Sequence, residues 1–214
     1  MNDSRVYGSI NRAVVEQVPR QAARLLDVGC GNGLLGQYLK ETDPRRSVVG
    51  ITYSEAEAEQ ARRHLDEVVV ADLEQHTFEG MSSFDCVICS HVLEHLRNPR
   101  EVLARIRRVI TPGGRLIVAL PNVLYWRQRL AFLGGRFRYT NGGIMDDTHV
   151  VFFDWHTARE LVTASGFELV QARADGGFPG SRWLGALRPT LDAAALDAAP
   201  GLFGTQFVLV ARVA

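Results

Sequence analysis

The sequence predicts an α/β fold, a mostly parallel sheet of seven strands with helices on both faces. Two observations lead there. Short apolar runs alternate with amphipathic stretches along most of the chain, which is the rhythm of strand–helix–strand units. The runs are nearly continuous in apolar residues, as strands covered on both faces must be. The 214 residues, 46% hydrophobic and 22% charged, suit one packed domain spanning 1–214.

Taken in order, residues 24–28 (RLLDV) form an apolar run ending in glycines and read as a buried strand, followed by a helix over 34–41. Residues 47–51 (SVVGI) are a second strand, and 54–65 (SEAEAEQARRHL) a helix with Ser54 as its N-cap. Residues 67–71 (EVVVA) and 84–89 (FDCVIC) supply strands three and four. Over 99–110 a helix puts Val102, Leu103, Ile106, Val109 and Ile110 on one face; PGG at 112–114 stops it. Strand five is 115–120 (RLIVAL). The rhythm then breaks. Residues 121–155 are rich in aromatics, glycine and arginine, and a long irregular insert in a compact domain is usually functional or mobile. The substrate-covering element belongs there. A helix near 156–165 and two late strands, 167–173 (FELVQAR) and 207–213 (FVLVARV), complete the chain, with a Gly/Pro/Ala-rich connection between the strands.

Charge excludes some partners. Lys+Arg and Asp+Glu are 24 each, so no global field marks nucleic acid or a membrane as the partner. Ten arginines and a single acid, Glu101, fall between Arg97 and Arg138. They read as a solvated helix face with loop charges, or as a greeting for a phosphorylated or carboxylated acceptor; zero net charge disfavours nucleic acid. No apolar run approaches the ~18 residues that span a bilayer, and the start, MNDSRVYGSI, has no apolar signal core. The cysteines are Cys30, Cys86 and Cys89, an odd and small number that suits a reducing compartment. A cytoplasmic protein is expected. Cys86 and Cys89 sit three apart on one strand, so they point to opposite faces and share neither a disulfide nor a metal.

The exit of strand one reads LLDVGCGNG, with Gly29, Gly31 and Gly33. The dinucleotide spacing G-x-G-x-x-G needs glycine at 34, which is Leu34, and no G-K-[ST] follows for a P-loop. What remains is a glycine bend behind Asp27. Glycines let a ligand approach the main chain, and a carboxylate at that point suits a ligand carrying positive charge rather than a pyrophosphate.

LLDVGCGNG, VVVADLEQ, FDCVICSHVLEHLRNP and ITPGGRLIVALPN, in that order and over most of the chain, resemble the class I, Rossmann-like S-adenosylmethionine-dependent methyltransferases of the bacterial small-molecule and sugar-pathway type. The resemblance implies a three-layer fold with an antiparallel last strand, S-adenosylmethionine as cofactor and S-adenosylhomocysteine as its product. It implies that Asp27, Gly29, Cys30 and Gly31 hold the methionine end of the cofactor. Asp72 matches the acid that binds the adenine amine, with Leu73 beside it. Ser90 and His91 lie along the cofactor near the methyl group, and Tyr7 and Asn11 sit where an N-terminal helix closes over it. The family usually has an acid at the end of strand two to grip the ribose. Here GITYSE puts Thr52 at that place, next to Tyr53. Thr52 makes a single contact, Glu55 reaches across, or the ribose leans on backbone.

SHVLEHL contains His91, Glu94 and His95 in the spacing H-x-x-E-H of one group of zinc peptidases. That reading needs the triplet within one helix and a third ligand downstream. The stretch instead follows a buried strand, so no metal is expected; Glu94 and His95 brace the site and His91 faces the acceptor. The segment GRFRYTNGGIMDDTHVVFFD looks like one in the same bacterial subgroup. His149 within it is the first candidate for general base, since a histidine titrates near neutrality, and His91 is the second. Asp146 and Asp147 orient His149 or the acceptor. Tyr125, Trp126, Phe132, Phe137 and Tyr139 shape the acceptor pocket. The amine-methylating signature [DNS]-P-P-[YFW] is absent after strand four. The expected activity is O-methylation of a small molecule, a sugar or a secondary metabolite. The competing reading is a methyltransferase-like protein that binds the cofactor as a partner or regulator without turnover, and a nicotinamide oxidoreductase comes third.

Overall fold

Seven strands form one sheet: β1 (Arg24–Val28), β2 (Ser47–Thr52), β3 (Glu67–Val70), β4 (Phe84–Ser90), β5 (Ile110–Pro121), β6 (Phe167–Gly176) and β7 (Gly204–Val213). Their order is β3-β2-β1-β4-β5-β7-β6 in the computed structural model, which describes residues 10–179, 181–183 and 185–213. Pairing from β3 through to β5 is parallel, and β7 runs antiparallel to both β5 and β6. The mostly parallel sheet with an antiparallel last strand is therefore as expected. Strand order reverses between β1 and β4, and in open α/β sheets the crevice at such a point, outside the carboxyl ends of the strands, takes the ligand.

The helices are α1 (Arg12–Val15), α2 (Leu34–Thr42), α3 (Glu55–Ala61), α4 (Pro99–Ile106), α5 (Trp126–Leu133), α6 (Trp155–Ala164), α7 (Arg188–Ala198) and α8 (Pro200–Phe203). Ser54 caps α3 through the Glu57 backbone N–H. Asp154 closes a capping box on α6 with Thr157. The core has two sides, one on each face of the sheet. Leu26, Val87 and Cys89 pack on one side, and Leu25, Cys86 and Ile88 on the other. Cys86 and Cys89 thus point apart and are both buried and free. Among the described residues no helix is long and apolar enough to cross a membrane.

Three elements differ from expectation. The fourth helix stops at Ile106, before the PGG turn, because Ile110 already pairs with Phe84 and draws the chain into β5. The insert is not wholly irregular, since α5 lies inside it. The Ala-rich connection holds α7, as the helix propensity of alanine favours. The insert leaves and rejoins the sheet at one place: Asn122 and Phe153 form a parallel bridge, and the Val123 N–H donates to the Phe153 carbonyl at 3.0 Å.

Candidate active site

The carboxyl ends of β1 and β4, helix α1 and the later part of the insert enclose a cavity of about 740 Å³. Its floor is the glycine bend. Gly29 and Gly31 have φ of +78° and +52°, a region that L side chains rarely adopt. The Gly29 and Cys30 N–H groups both donate to the Ile51 carbonyl, at 2.8 and 2.9 Å, which pins the bend to β2. Gly50 lets the bend fold down, since a Cβ there would stand 2.6 Å from Cys30 Sγ. Cys30 is buried, and burial raises its thiol pKa well above the ordinary value.

Asp27 ends the floor. It is 2% exposed, its Oδ2 has no hydrogen-bond partner, and burial pushes its carboxyl up to about 7. A buried carboxyl with a free oxygen at the edge of a cavity is a seat for a cationic group. The bend, its open space at Gly31 and this orphaned oxygen fit the amino-acid end of S-adenosylmethionine.

Of the other expected cofactor residues, Asn11, Ser90 and His91 line the cavity, whereas Thr52, Tyr53, Asp72 and Leu73 lie outside its lining. Thr52 is buried, and its Oγ1 donates to Glu57 Oε2 at 2.7 Å. Glu55 does not reach across: it pairs with Arg62 at 2.6 Å on the surface of α3. The acid near the end of β2 is Glu57, which sequence reasoning missed, although its place on the first turn after the Ser54 cap was a signal. Tyr53 is 79% exposed. Asp72 accepts from the Glu74 N–H and from Gln75 Nε2, beside buried Leu73. Tyr7 lies outside the described residues. Asn11 does reach the site, its Nδ2 donating to Gln206 Oε1 at 2.8 Å and to Ser90 Oγ at 3.4 Å.

His91 follows Ser90 with φ +54°, so its ring turns back over the strand end. One ring nitrogen is 3.1 Å from Glu94 Oε1 and the other 2.9 Å from Gln206 Oε1. Gln206 Nε2 donates to Asp175 Oδ2 at 2.7 Å, which fixes the oxygen end of that amide toward His91. Both partners are acceptors, so both ring nitrogens must donate. Burial pulls the His91 pKa down, but the bond and charge of Glu94, together with Gln206, outweigh it and hold it above the ordinary histidine value. With both ring nitrogens donating, His91 offers no lone pair in this arrangement. Gln206 and Asp175 were not foreseen; Gln206 directly precedes the apolar run of β7.

His149 has the opposite character. Its side chain is 5% exposed, and its Nδ1 lies 3.2 Å from the Ile144 carbonyl, so Nδ1 carries the proton and Nε2 the lone pair. Burial, with His95 adding to it, keeps its pKa below the ordinary value against the pull of Glu94. The Asp146 carbonyl accepts from the His149 N–H at 3.2 Å, but its carboxylate does not bond the His149 ring. It accepts from the Thr148 N–H and Oγ1 and so shapes the turn, while Asp147 is exposed. Glu94 is 1% exposed, and its carbonyl accepts from both Val150 and Val151, at 2.8 and 3.0 Å, clamping the insert to the exit of β4. The insert lines the cavity with Gly143, Ile144, Asp146 and His149. None of Tyr125, Trp126, Phe132, Phe137 and Tyr139 lines it; Phe137 stacks on Phe132 at 5.4 Å and meets Tyr139 edge-on at 5.6 Å, away from the cavity. Glu94, His95 and His149 each bring one potential metal-ligand atom to within 4.8 Å of the others. His91, part of the H-x-x-E-H spacing, is not in that group.

A Rossmann-like sheet with a glycine bend behind a buried acid is the arrangement the sequence resemblance implies. Residues 26–118 match the family described as "Methyltransferase domain". An uncharacterised 37.1 kDa transposon protein of Streptomyces fradiae is 37% identical over 125 residues, 56% of this chain and 35% of its own length. The ubiquinone biosynthesis O-methyltransferase of Pseudomonas aeruginosa is 35% identical over 105 residues, 46% of this chain and 44% of its own length. The chain thus matches less than half the length of either relative. Among solved structures, a Thermotoga maritima S-adenosylmethionine-dependent methyltransferase, described as a possible histamine N-methyltransferase, aligns with TM-score 0.64 at 19% identity. That alignment covers 94% of this chain and 86% of the other, which shows the shared fold.

Proposed function

We propose that residues 1–214 act as one methyltransferase domain that moves a methyl group from S-adenosylmethionine to a hydroxyl of a small-molecule acceptor, a sugar or a secondary metabolite, in the cytoplasm. One observation carries this reading: the unpartnered carboxyl oxygen of Asp27 and His149, with its lone-pair nitrogen, border the same cavity. The first suits a cationic donor and the second a proton-losing acceptor. The likeness of the Pseudomonas O-methyltransferase supports oxygen as the acceptor atom.

When bound, S-adenosylmethionine supplies a methyl carbon made electrophilic by its sulfonium. The chain's own residues do the rest. Asp27 and the Gly29–Gly31 bend hold the amino-acid end, Thr52 with Glu57 and Tyr53 takes the ribose side, and Asp72 with Leu73 the adenine side. Ser90 and His91, held by Asn11 and Gln206, flank the reacting centre, and Tyr7 belongs to the closing N-terminal segment. His149 Nε2 takes the acceptor's proton as the oxygen–carbon bond forms and the carbon–sulfur bond breaks, leaving S-adenosylhomocysteine. Holding donor and acceptor at ~3 Å supplies several kcal/mol of the rate gain, and a base at neutral pH a further 10²–10⁴-fold, roughly. Glu57 puts an acid beside Thr52, so the feature that favoured a cofactor-binding partner without turnover no longer does so.

Calorimetric titration with S-adenosylmethionine, followed by an assay for S-adenosylhomocysteine over a panel of hydroxylated acceptors, tests the proposal. Micromolar binding with product formation is expected. Binding without product on any acceptor returns the partner reading, and no binding at all ends both.

A further inference from the structure

The wall of the cavity opposite Asp27 holds three groups whose arrangement is unfinished. Glu94 is 1% exposed, yet its Oε2 has no hydrogen-bond partner, and its Oε1 is shared with His91. His149 Nε2 faces Glu94 Oε1 across 4.0 Å, too far for a hydrogen bond, and neither atom carries a proton to share. His95 completes the set. Its Nδ1 lies 3.1 Å from Thr148 Oγ1 and 3.3 Å from the Thr148 carbonyl. Thr148 Oγ1 already donates to Asp146 Oδ1, so it accepts from His95 Nδ1, and the lone pair of His95 is on Nε2. Two imidazoles and one carboxylate thus each bring one potential ligand atom to within 4.8 Å of the others, Glu94 buried and the two histidines half-buried. His91 meets one oxygen of that carboxylate, and the other, Oε2, is left buried without a partner beside the two imidazoles.

We propose that Glu94, His95 and His149 form a binding site for a divalent transition-metal ion of the zinc or cobalt kind. One of the gaps sets the scale. Ligand atoms ~2.0–2.1 Å from zinc stand ~3.4 Å apart at the tetrahedral angle and ~4.2 Å apart at most. The His149–Glu94 gap of 4.0 Å falls inside that span and closes with a small shift. The donor set of two nitrogens and one oxygen selects zinc, cobalt or nickel over magnesium and calcium, which take oxygens. Each imidazole is already oriented by an acceptor on its far nitrogen, the Ile144 carbonyl for His149 and Thr148 for His95, as metal-bound histidines are. Three protein ligands leave a position open toward the cavity, and an acceptor hydroxyl bound there would lose its proton to solvent through the charge of the ion. The ion would take the Nε2 lone pair that His149 offers as a base in the metal-free protein, so the two uses of that nitrogen compete. The binding claim stands apart from the methyl-transfer reading.

The test is cobalt(II) titration of chelator-treated protein, followed by visible absorption, with zinc competition and no cofactor or acceptor present. One cobalt ion per chain with the intense bands of low-coordinate cobalt, displaced by zinc, is expected. His95→Gln and His149→Ala should each weaken it 10- to 100-fold, and His76→Ala, on a residue remote from the cavity, should leave it unchanged. Absence of a stoichiometric, zinc-displaceable spectrum in the unmutated chain overturns the proposal, whatever the variants do. So does a spectrum that both cavity variants retain. Cobalt binding without S-adenosylmethionine binding would keep the metal site and remove the methyl-transfer reading. S-adenosylmethionine turnover without a cobalt site would do the reverse.

Discussion

Thr52 Oγ1 donates to Glu57 Oε2 at 2.7 Å, so a carboxylate from the first turn of α3 stands at the end of β2 where the strand itself has only a hydroxyl. Glu57→Ala should weaken S-adenosylmethionine binding about tenfold, the worth of roughly one charged hydrogen bond. Glu55→Ala, on the outer side of α3, should leave affinity as it is. Calorimetry on both variants decides; equal affinities would put the ribose elsewhere.

Asp27 sets a conflict between stability and binding. Its carboxyl titrates near 7 in the folded protein against an ordinary value of 3.8, so folding favours the protonated form. The stability this gives is fully present below about pH 4 and is lost as pH rises through 7, by up to about 1.4 kcal/mol per pH unit in that window. Asp27→Asn should flatten this dependence, raise the melting temperature of the ligand-free protein at pH 8, and abolish cofactor binding. A variant no more stable than the parent at pH 8 would show that the carboxyl is not strained by its burial.

The two glycines of the bend should respond differently. At Gly29 a Cβ would lie 2.6 Å from Val92 Cγ2 in addition to the unfavourable φ of +78°. At Gly31 φ is +52° but the space is open. Gly29→Ala should therefore cost about 2–4 kcal/mol and Gly31→Ala about 1–2, by denaturant unfolding. Equal losses would mean that Val92 yields without cost.

His149→Ala should lower turnover by roughly 10²–10⁴-fold while S-adenosylmethionine affinity stays within twofold, roughly, since the ring borders the acceptor side. An unaltered rate in the variant would take His149 out of the reaction altogether.

The strands were legible because a parallel sheet demands unbroken apolar runs, and RLLDV, SVVGI and FDCVIC supply them. The glycine bend was legible because its spacing excluded the nucleotide alternatives and left Asp27 behind it. What was hidden depends on reach across the fold. Glu57 and Gln206 act through side chains that meet Thr52 and His91 only once α3 and β7 are in place. The aromatics of the insert looked like a pocket lining because composition alone does not say which side of a loop faces inward. H-x-x-E-H looked like one cluster, but the positive φ at His91 turns that ring toward β7, and His149 joins Glu94 and His95 from 54 residues beyond His95.

Asn122 and Phe153 stand side by side, so the polypeptide departs from the sheet and comes home at a single doorway. Material lengthened or exchanged between those two positions need not displace a strand, and closing a longer excursion costs only fractions of a kcal/mol. On the proposed reading, a transplant of residues 123–152 between relatives should change the acceptor range and leave S-adenosylmethionine affinity as it is, checked by calorimetry and product assay.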